Sequence, residues 1–516
     1  MKKKILLVSI LVSLTLSIFA QKNEKKTLEK LDKTADKYAK TINQKDLKKH
    51  LTIIASDEME GRLTGTKGQK LAAKYISEHF KNIGLQAPVK NADNNGYYQY
   101  FKLVSRQWKE VTIKNAEGKT FNFLKDIYIL KASYDFENEK QLMPVYIPNT
   151  DDKNTNALVG LAKSKDIAVM IPTSGKMKED VKIAENLRKK GAKTIIFVHK
   201  TQKDFEEAIE SNGYYLKRKI QQIARPTKTE LGMFYTSPNV AKDLLEVEKF
   251  DLANTYMNPK NIVVKAKMEE KEEWQSENVL GFMEGTDKKN EIVVITSHYD
   301  HVGTKNGKVY NGADDDGSGT VSVLEIAEAF AKAKADGKPP RRSILFMTVA
   351  GEELGLYGSS YYADIDPIFP LENTVVDLNI DMVGRIGGDY IATNDPNYVY
   401  LIGSDKLSTE LHTINEEVNK KTQKLKLDYK YNDENDPNRF YYRSDHYNFA
   451  KNNIPIIFYF NGVHDDYHQP GDDVEKIHFP KLEKIAKLIF YTAWEIANRE
   501  QRIIVDKTPA AAPEED

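Results

Sequence analysis

Three Val/Ile/Leu-rich runs in the C-terminal half of the chain each end in side chains of the kind that bind metals. They are EIVVITSHYD at His298 and Asp300, SILFMTVAGEE at Glu352 and Glu353, and TVVDLNIDMVG at Asp381. Runs of this composition, alternating with helix-like segments, read as parallel strands buried on both faces. Open α/β sheets bind ligands beyond the carboxyl ends of such strands. The expected fold is therefore α/β, with a mixed, mostly parallel central sheet flanked by helices and its chemistry collected along one edge. The chain has no cysteine, which removes disulfides and thiolate zinc sites and leaves His, Asp and Glu as the available metal ligands.

The rest of the chain organises around that sheet. Lys2, Lys3 and Lys4 precede an apolar run from Ile5 to Phe19 and then Ala20-Gln21, the pattern of a secretory signal peptide over residues 1–20. This implies a periplasmic or extracellular protein with no membrane span after cleavage. A retained anchor is the alternative, although the run is shorter than the roughly 20 residues that a span prefers. Lys plus Arg and Asp plus Glu both number 76, so no net field attracts nucleic acid or an anionic membrane. Residues 21–114 show two helical segments, Asp46 to Ala55 and Gln69 to Ile83, joined by the polar loop SDEMEGRLTGTKG. Residues 115–262 read as an inserted smaller α/β domain, with the strands IAVMIP and TIIFVH around a helix carrying Val181, Ala184 and Leu187 and stopped by Gly191. Elaboration of the main sheet is the alternative there. Residues 263–502 form the main domain. NIVVKAKME and ENVLGFMEG alternate in period two, as half-exposed or edge strands do. Residues 503–516, containing KTPAAAPEED, read as a disordered tail.

Within the main domain, Asp300 lies two residues beyond His298 and projects to the same side of an extended chain. It is a natural partner for the second ring nitrogen of a ligating histidine. The loop VYNGADDDGSGT sets Asp314, Asp315 and Asp316 before a glycine-rich helix start. Three adjacent like charges repel unless a cation neutralises one of them; a solvated helix cap is the other reading. The spacing does not fit an EF-hand, which needs alternating acids and a closing Glu. Glu352 and Glu353 end a buried strand and point apart, so one can hold metal while the other faces water. HDDYHQPGDD supplies a late histidine, with His464 and His468 competing and His468 favoured by the rigid Pro-Gly turn beside it. Ser444-Asp445-His446 cannot be a serine-hydrolase triad, whose members come from separate loops. It reads as a helix cap with a supporting hydrogen bond near the site. His301, Asp472 and Asp473 read as supporting or solvated residues.

S-H-Y-D, G-A-D-D-D-G-S-G, G-E-E, N-I-D-M-V-G-R, R-S-D-H and Y-H-Q-P-G-D-D occur in this order. The ordered set resembles the co-catalytic dizinc peptidases, which include secreted bacterial aminopeptidases and glutamate carboxypeptidases. The resemblance covers residues 45–110 and 262–500, and residues 140–260 are similar to the protease-associated domain inserted in many members. It implies a zinc-peptidase α/β/α sandwich and two zinc ions per chain. Asp315 would bridge the ions, with His298 and Asp381 on one and Glu353 and His468 on the other. It further implies Glu352 as general base, Asp314 and Asp316 as loop or outer support, and Tyr441 as a group polarising the scissile carbonyl. The implied activity is that of a zinc exopeptidase on peptide or protein substrates, foremost an aminopeptidase. A carboxypeptidase for acidic C-termini would need converging arginines, for which Arg385 and Arg443 are the evident candidates. A one-metal glutaminyl cyclase is a further alternative. A receptor-like member without catalysis is disfavoured by the intact ligands and base.

Overall fold

A computed structural model describes residues 33–508, apart from 91–95, 130–135, 163–165, 193, 218 and 225–231. The expected signal peptide and residues 509–516 lie outside the described residues. Among the described residues, no helix is long and apolar enough to cross a membrane. The chain divides into two compact units, one ending at Phe101 and resuming at Gln275, the other running from Lys102 to Trp274.

The first unit contains helices α1 (Gln44–Ile54) and α2 (Lys67–Asn82), then the C-terminal part of strand β1 (Ile262–Met283) and strand β2 (Lys288–His298). Helix α3 (Gly319–Ala335) leads to β3 (Arg342–Val349) and β4 (Thr374–Ile380), followed by β5 (Tyr398–Ile402), β6 (Lys426–Asp428), β7 (Ile456–Phe460) and the closing helix α4 (Phe479–Asn498). The sheet order in this unit is β6-β5-β7-β4-β2-β3-β1. Strand β2 runs parallel to both β3 and β4, β4 is parallel to β7, and β5 is parallel to β6. The β1–β3 and β5–β7 pairs are antiparallel. The mixed, mostly parallel sheet read from the sequence is thus the one observed.

Burial explains why these runs became strands. Every residue of β3, β4 and β7 is buried, and the apolar and β-branched residues that dominate them pack well on both faces. Helix α3 is likewise apolar almost all round, from Val321 to Ala333, and α4 covers it through Phe330 stacked on Trp494 at 5.6 Å. In α2 the expected stripe of Ala72, Ala73, Ile76 and Phe80 is fully buried. Parallel register then sets the strand ends side by side, with His298 opposite Val349 and Ile380 opposite Tyr459. His298, Glu352 and Asp381 consequently leave the sheet at one edge.

Two sequence readings need correction here. ENVLGFM is not half-exposed, because Asn278, Val279, Leu280 and Met283 are all buried. Strand β3 pairs alongside, and α2 packs so closely over Gly281 that a Cβ there would lie 2.8 Å from the Phe80 ring and 2.7 Å from Leu85. Nor are residues 503–508 a free tail. Ile503 is 5% exposed, and the Asp506 carboxylate accepts the Thr409 N–H at 2.9 Å while its own N–H donates to Leu407 O at 3.1 Å.

The second unit holds its own α/β sheet. Phe136–Tyr146, Ile167–Pro172, Thr194–Val198 and Gly232–Thr236 pair in parallel in that order, and Ile127–Tyr128 adds antiparallel at the end. The helix Met177–Lys189 buries Ala184 and Leu187 against this sheet's core. The unit begins inside the strand Tyr98–Lys114 and ends inside Ile262–Met283.

Candidate metal centre

The side chains at the sheet edge are arranged around Asp315. The Nδ1 of His298 lies 3.1 Å from the Asp300 carbonyl oxygen, which can only accept, so Nδ1 carries a proton. When Nε2 carries no proton it presents a lone pair 3.3 Å from Asp315 Oδ1 and 3.5 Å from Asp381 Oδ1. On the other side, His468 Nε2 lies 3.0 Å from both Asp315 Oδ2 and Glu353 Oε2. His298 Nε2 and Asp315 Oδ2 are buried and make no well-directed hydrogen bond despite these short distances. Two ligands on one tetrahedral zinc, each about 2.1 Å from the ion, sit about 3.4 Å apart. The spacing and the orphaned atoms fit a cation on each side of Asp315, and the all-nitrogen and oxygen donor set suits zinc.

Each donor is held by its own element. His298 ends β2 and Asp381 follows β4, where Ser444 Oγ donates to Asp381 Oδ2 at 2.7 Å and accepts from Asn379 Nδ2 at 2.9 Å. Ser444-Asp445-His446 therefore supports the site and is no triad. Glu353 is held through Oε1 by His301 Nδ1 at 2.8 Å. His301 is fully buried, which rules out the solvated reading, and its ring lies where a Cβ on Gly312 would come within 2.5 Å. Gly312, at φ 53, is the one residue type that fits that close approach. His468 also sits at a positive φ of 53, a strained conformation that tends to occur at functional sites.

The other two aspartates of the triplet are used differently. Asp316 lies near His298 and Asp381, but its oxygens accept the N–H groups of Gly319 at 2.8 Å, Met382 at 3.1 Å and His298 at 3.2 Å. Its lone pairs go to the backbone, which leaves Asp315 as the free carboxylate. Asp314 accepts from Gly384 N at 2.6 Å and faces His464 Nε2 at 3.1 Å, so His464 serves Asp314 while His468 faces Asp315. Asp472 accepts the N–H groups of Asp314 and Asp315 at 2.9 and 3.1 Å and fixes the loop. Asp473 accepts from Asn311 at 3.2 Å.

Asp300 acts otherwise than expected. Its carboxylate is 3.7 Å from His298 Nδ1, too far for a hydrogen bond, and instead accepts from Thr64 Oγ1 at 2.6 Å and the Glu352 N–H at 3.3 Å. Its carbonyl thus orients His298 while its carboxylate places the Glu352 backbone.

Charge is concentrated here, and protons and metal ions compete for the same atoms. Burial would keep His298 neutral, but Glu352 and Asp381 outweigh it and raise its pKa well above the usual value. Burial likewise opposes protonation of His468, yet Asp315 and Glu353 push it up to about 10. Glu352 is raised well above the carboxylate range, chiefly by burial and against the pull of His298. Its Oε2 stands 3.9 Å from His298 Nε2, at the wall of a cleft that also reaches Asp315 and Asp381. Asp315, Glu352, Asp381 and Arg443 supply the charged groups of this cleft, and Met382, Phe440, Phe458, Phe460, Val463 and Tyr467 line the rest of it.

Tyr441 is not among the residues lining the cleft. It lies in the 3₁₀ turn Phe440–Tyr442, in which positions three apart eclipse, so Phe440 and Arg443 share the cleft side and Tyr441 is turned away. Its ring packs on Tyr442 and under the Lys406 ammonium. Tyr467, which sequence reasoning passed over, lines the cleft instead and stacks on His468 at 4.0 Å. Its position beside His468 in HDDYHQPG is the signal that was there to read. Arg62 was missed as well. It is fully buried, and its guanidinium donates to Tyr299 O, Ile54 O and Asn311 O at 2.7 Å each and to Gly312 O at 2.9 Å.

Comparison with known proteins bears on this centre. Residues 278–493 match Peptidase family M28. Aminopeptidase YwaD of Bacillus subtilis (strain 168) is 28% identical over 238 residues, covering 44% of this chain and 46% of its own length. A probable leucine aminopeptidase of Trichophyton verrucosum (strain HKI 0517) is 30% identical over 237 residues, covering 44% of this chain and 59% of its own. The chain spans about half the length of these curated relatives. Among solved structures, the aminopeptidase from Aneurinibacillus sp. strain AM-1 covers 92% of this chain and 100% of its own at 18% identity, with a TM-score of 0.47. The stretch similar to Peptidase family M28, residues 278–493, holds His298, Asp315, Glu352, Glu353, Asp381 and His468.

Proposed function

We propose that the chain is an exported zinc-dependent exopeptidase, an aminopeptidase that hydrolyses the first peptide bond of its substrates. The observation that carries this reading is that the two oxygens of Asp315 face two different sets of donors. His298 and Asp381 would hold one zinc ion, Glu353 and His468 the other, and Asp315 both. When bound, zinc polarises a carbonyl and brings the pKa of water toward neutrality. Glu352 takes the proton of the attacking water at its carboxylate and delivers it to the leaving amine, and burial, which favours its neutral form, suits it to both steps. The cleft wall formed by Met382, Phe440, Phe458, Phe460 and Val463 would take an apolar side chain next to the scissile bond, in keeping with the leucine aminopeptidase names of some relatives.

The carboxypeptidase reading asks for several free arginines, and Arg385 is tied to Asp466 at 2.7 Å and Asp472 at 3.4 Å. Among the described residues, that leaves Arg443 alone at the cleft wall. Aminoacyl anilides and N-acetylated peptides assayed before and after chelation test the proposal. Hydrolysis of free-amine substrates alone, lost with chelator and restored by zinc, is the expected result. Release of C-terminal Glu from blocked peptides, or cyclisation of N-terminal Gln by a one-zinc protein, would overturn it.

Ser444→Ala removes the hydrogen bond that orients Asp381 and is expected to weaken zinc binding about 10–100-fold. The chelator concentration for half-inactivation should fall to match. An unchanged concentration would show that Asp381 needs no such support.

A further inference from the structure

A second cluster of metal-type side chains lies on the far side of α3 from the strand ends. His50 on α1 and His79 on α2 meet edge to face with ring centroids 4.8 Å apart. Glu325 and Glu328, three residues apart on α3, share the face opposite them. Ligand atoms of His50, His79 and Glu328 all lie within 4.8 Å of one another. His50 is only 4% and Glu325 only 2% exposed, while His79 and Glu328 are half-buried.

Its hydrogen bonding is incomplete in a telling way. His50 Nδ1 is engaged by the Tyr75 hydroxyl at 2.7 Å, which leaves Nε2 facing Glu325 Oε1 at 3.5 Å. That separation is long for a hydrogen bond and close to the roughly 3.4 Å between two ligands of one tetrahedral zinc. Both His79 Nε2 and Glu325 Oε1 are buried without a hydrogen-bond partner. One Glu328 oxygen binds Lys332 at 2.6 Å, and the carboxylate has a second oxygen to offer. Leaving such buried atoms unpaired is unfavourable, so a ligand that satisfies them together is favoured.

We propose that His50, His79, Glu325 and Glu328 form a binding site for one further divalent transition-metal ion of the zinc type, which staples α1 and α2 to α3. Imidazole with carboxylate donors selects Zn²⁺, Co²⁺ or Ni²⁺ over Ca²⁺ and Mg²⁺, which prefer all-oxygen sites. Burial holds His50 down to about 4, so its ring is neutral and ready to ligate at physiological pH. The same burial, with the charges of Glu328 and Asp46, pushes Glu325 up to about 8, and a bound cation would displace that proton. The consequence reaches beyond the staple, because α3 begins directly after the Asp314–Asp316 loop. The site shares no residue with the centre on Asp315 and stands independently of how that centre is read.

The test is zinc content per chain after loading with Zn²⁺ and desalting, in the parent and in an Asp315→Asn background. His79→Gln and Glu328→Gln should each lower the content by one equivalent in both backgrounds, whatever number of ions the Asp315 centre holds. Zn²⁺, and not Mg²⁺, should raise the melting temperature of Asp315→Asn by several degrees and leave Asp315→Asn/Glu328→Gln unmoved. Glu328 is partly exposed, so its variant remains informative should His79→Gln misfold. Equal zinc content in parent and Glu328→Gln, with equal thermal shifts, would reduce the cluster to an internal hydrogen-bond network and overturn the proposal.

Discussion

Glu352→Gln is expected to keep the zinc content of the parent while losing about 10²–10⁴-fold in kcat/KM, the usual contribution of a positioned general base. The substitution preserves size and shape, and Glu352 belongs to neither set of donors around Asp315, so metal binding has no reason to change. What disappears is a carboxylate able to take a proton at the cleft wall, 3.9 Å from His298 Nε2. Glu353→Gln is the necessary contrast. Its carboxylate is shared between His301 and His468, so that variant should lose zinc together with activity. Metal analysis and steady-state kinetics on the two proteins separate the roles of neighbouring residues. Activity within a few-fold of the parent in metal-replete Glu352→Gln would show that another group moves the proton.

The strands that carry these residues were readable because burial on both faces forces a long uninterrupted apolar run, as in SILFMTVA, which a strand with one solvated face would break with polar residues. The convergence of His298, Asp315, Glu353, Asp381 and His468 follows from parallel register, which sets the strand ends at one edge. What escaped the sequence depends on packing or on local phase. ENVLGFM alternates like a half-exposed strand, yet both its faces are covered, which no local pattern records. Tyr441 lies one residue out of step with the cleft because a 3₁₀ turn repeats every three residues, and nothing in RFYYRSDH announces that turn. Whether Asp300 uses its carbonyl or its carboxylate toward His298 is a matter of tenths of an ångström, finer than any spacing rule.

Arg62 is the residue whose loss should be felt most in the framework of the site. It lies in a polar, glycine-containing loop that reads as solvated, yet it is fully buried and binds four backbone carbonyls. Ile54 closes α1, Tyr299 follows the His298 strand, and Asn311 and Gly312 lead into the aspartate triplet, so one planar guanidinium fixes three segments at once. Burial lowers its pKa to about 10, which still leaves it charged at neutral pH, with Asp300, Asp315, Asp316 and Asp472 supporting the charge. Arg62→Leu would strand the carbonyls and an uncompensated group of carboxylates, a loss on the order of 3–5 kcal/mol. Hydrogen exchange should then quicken roughly 10²–10³-fold at the amides of residues 299–318, where local opening governs exchange. Arg62→Lys should restore only a fraction, because an ammonium offers a point charge with three donors in place of a five-donor planar fork. Parent-like protection in Arg62→Leu would mean that the Asp472 contacts alone hold the loop, and that the buried arginine is dispensable to it.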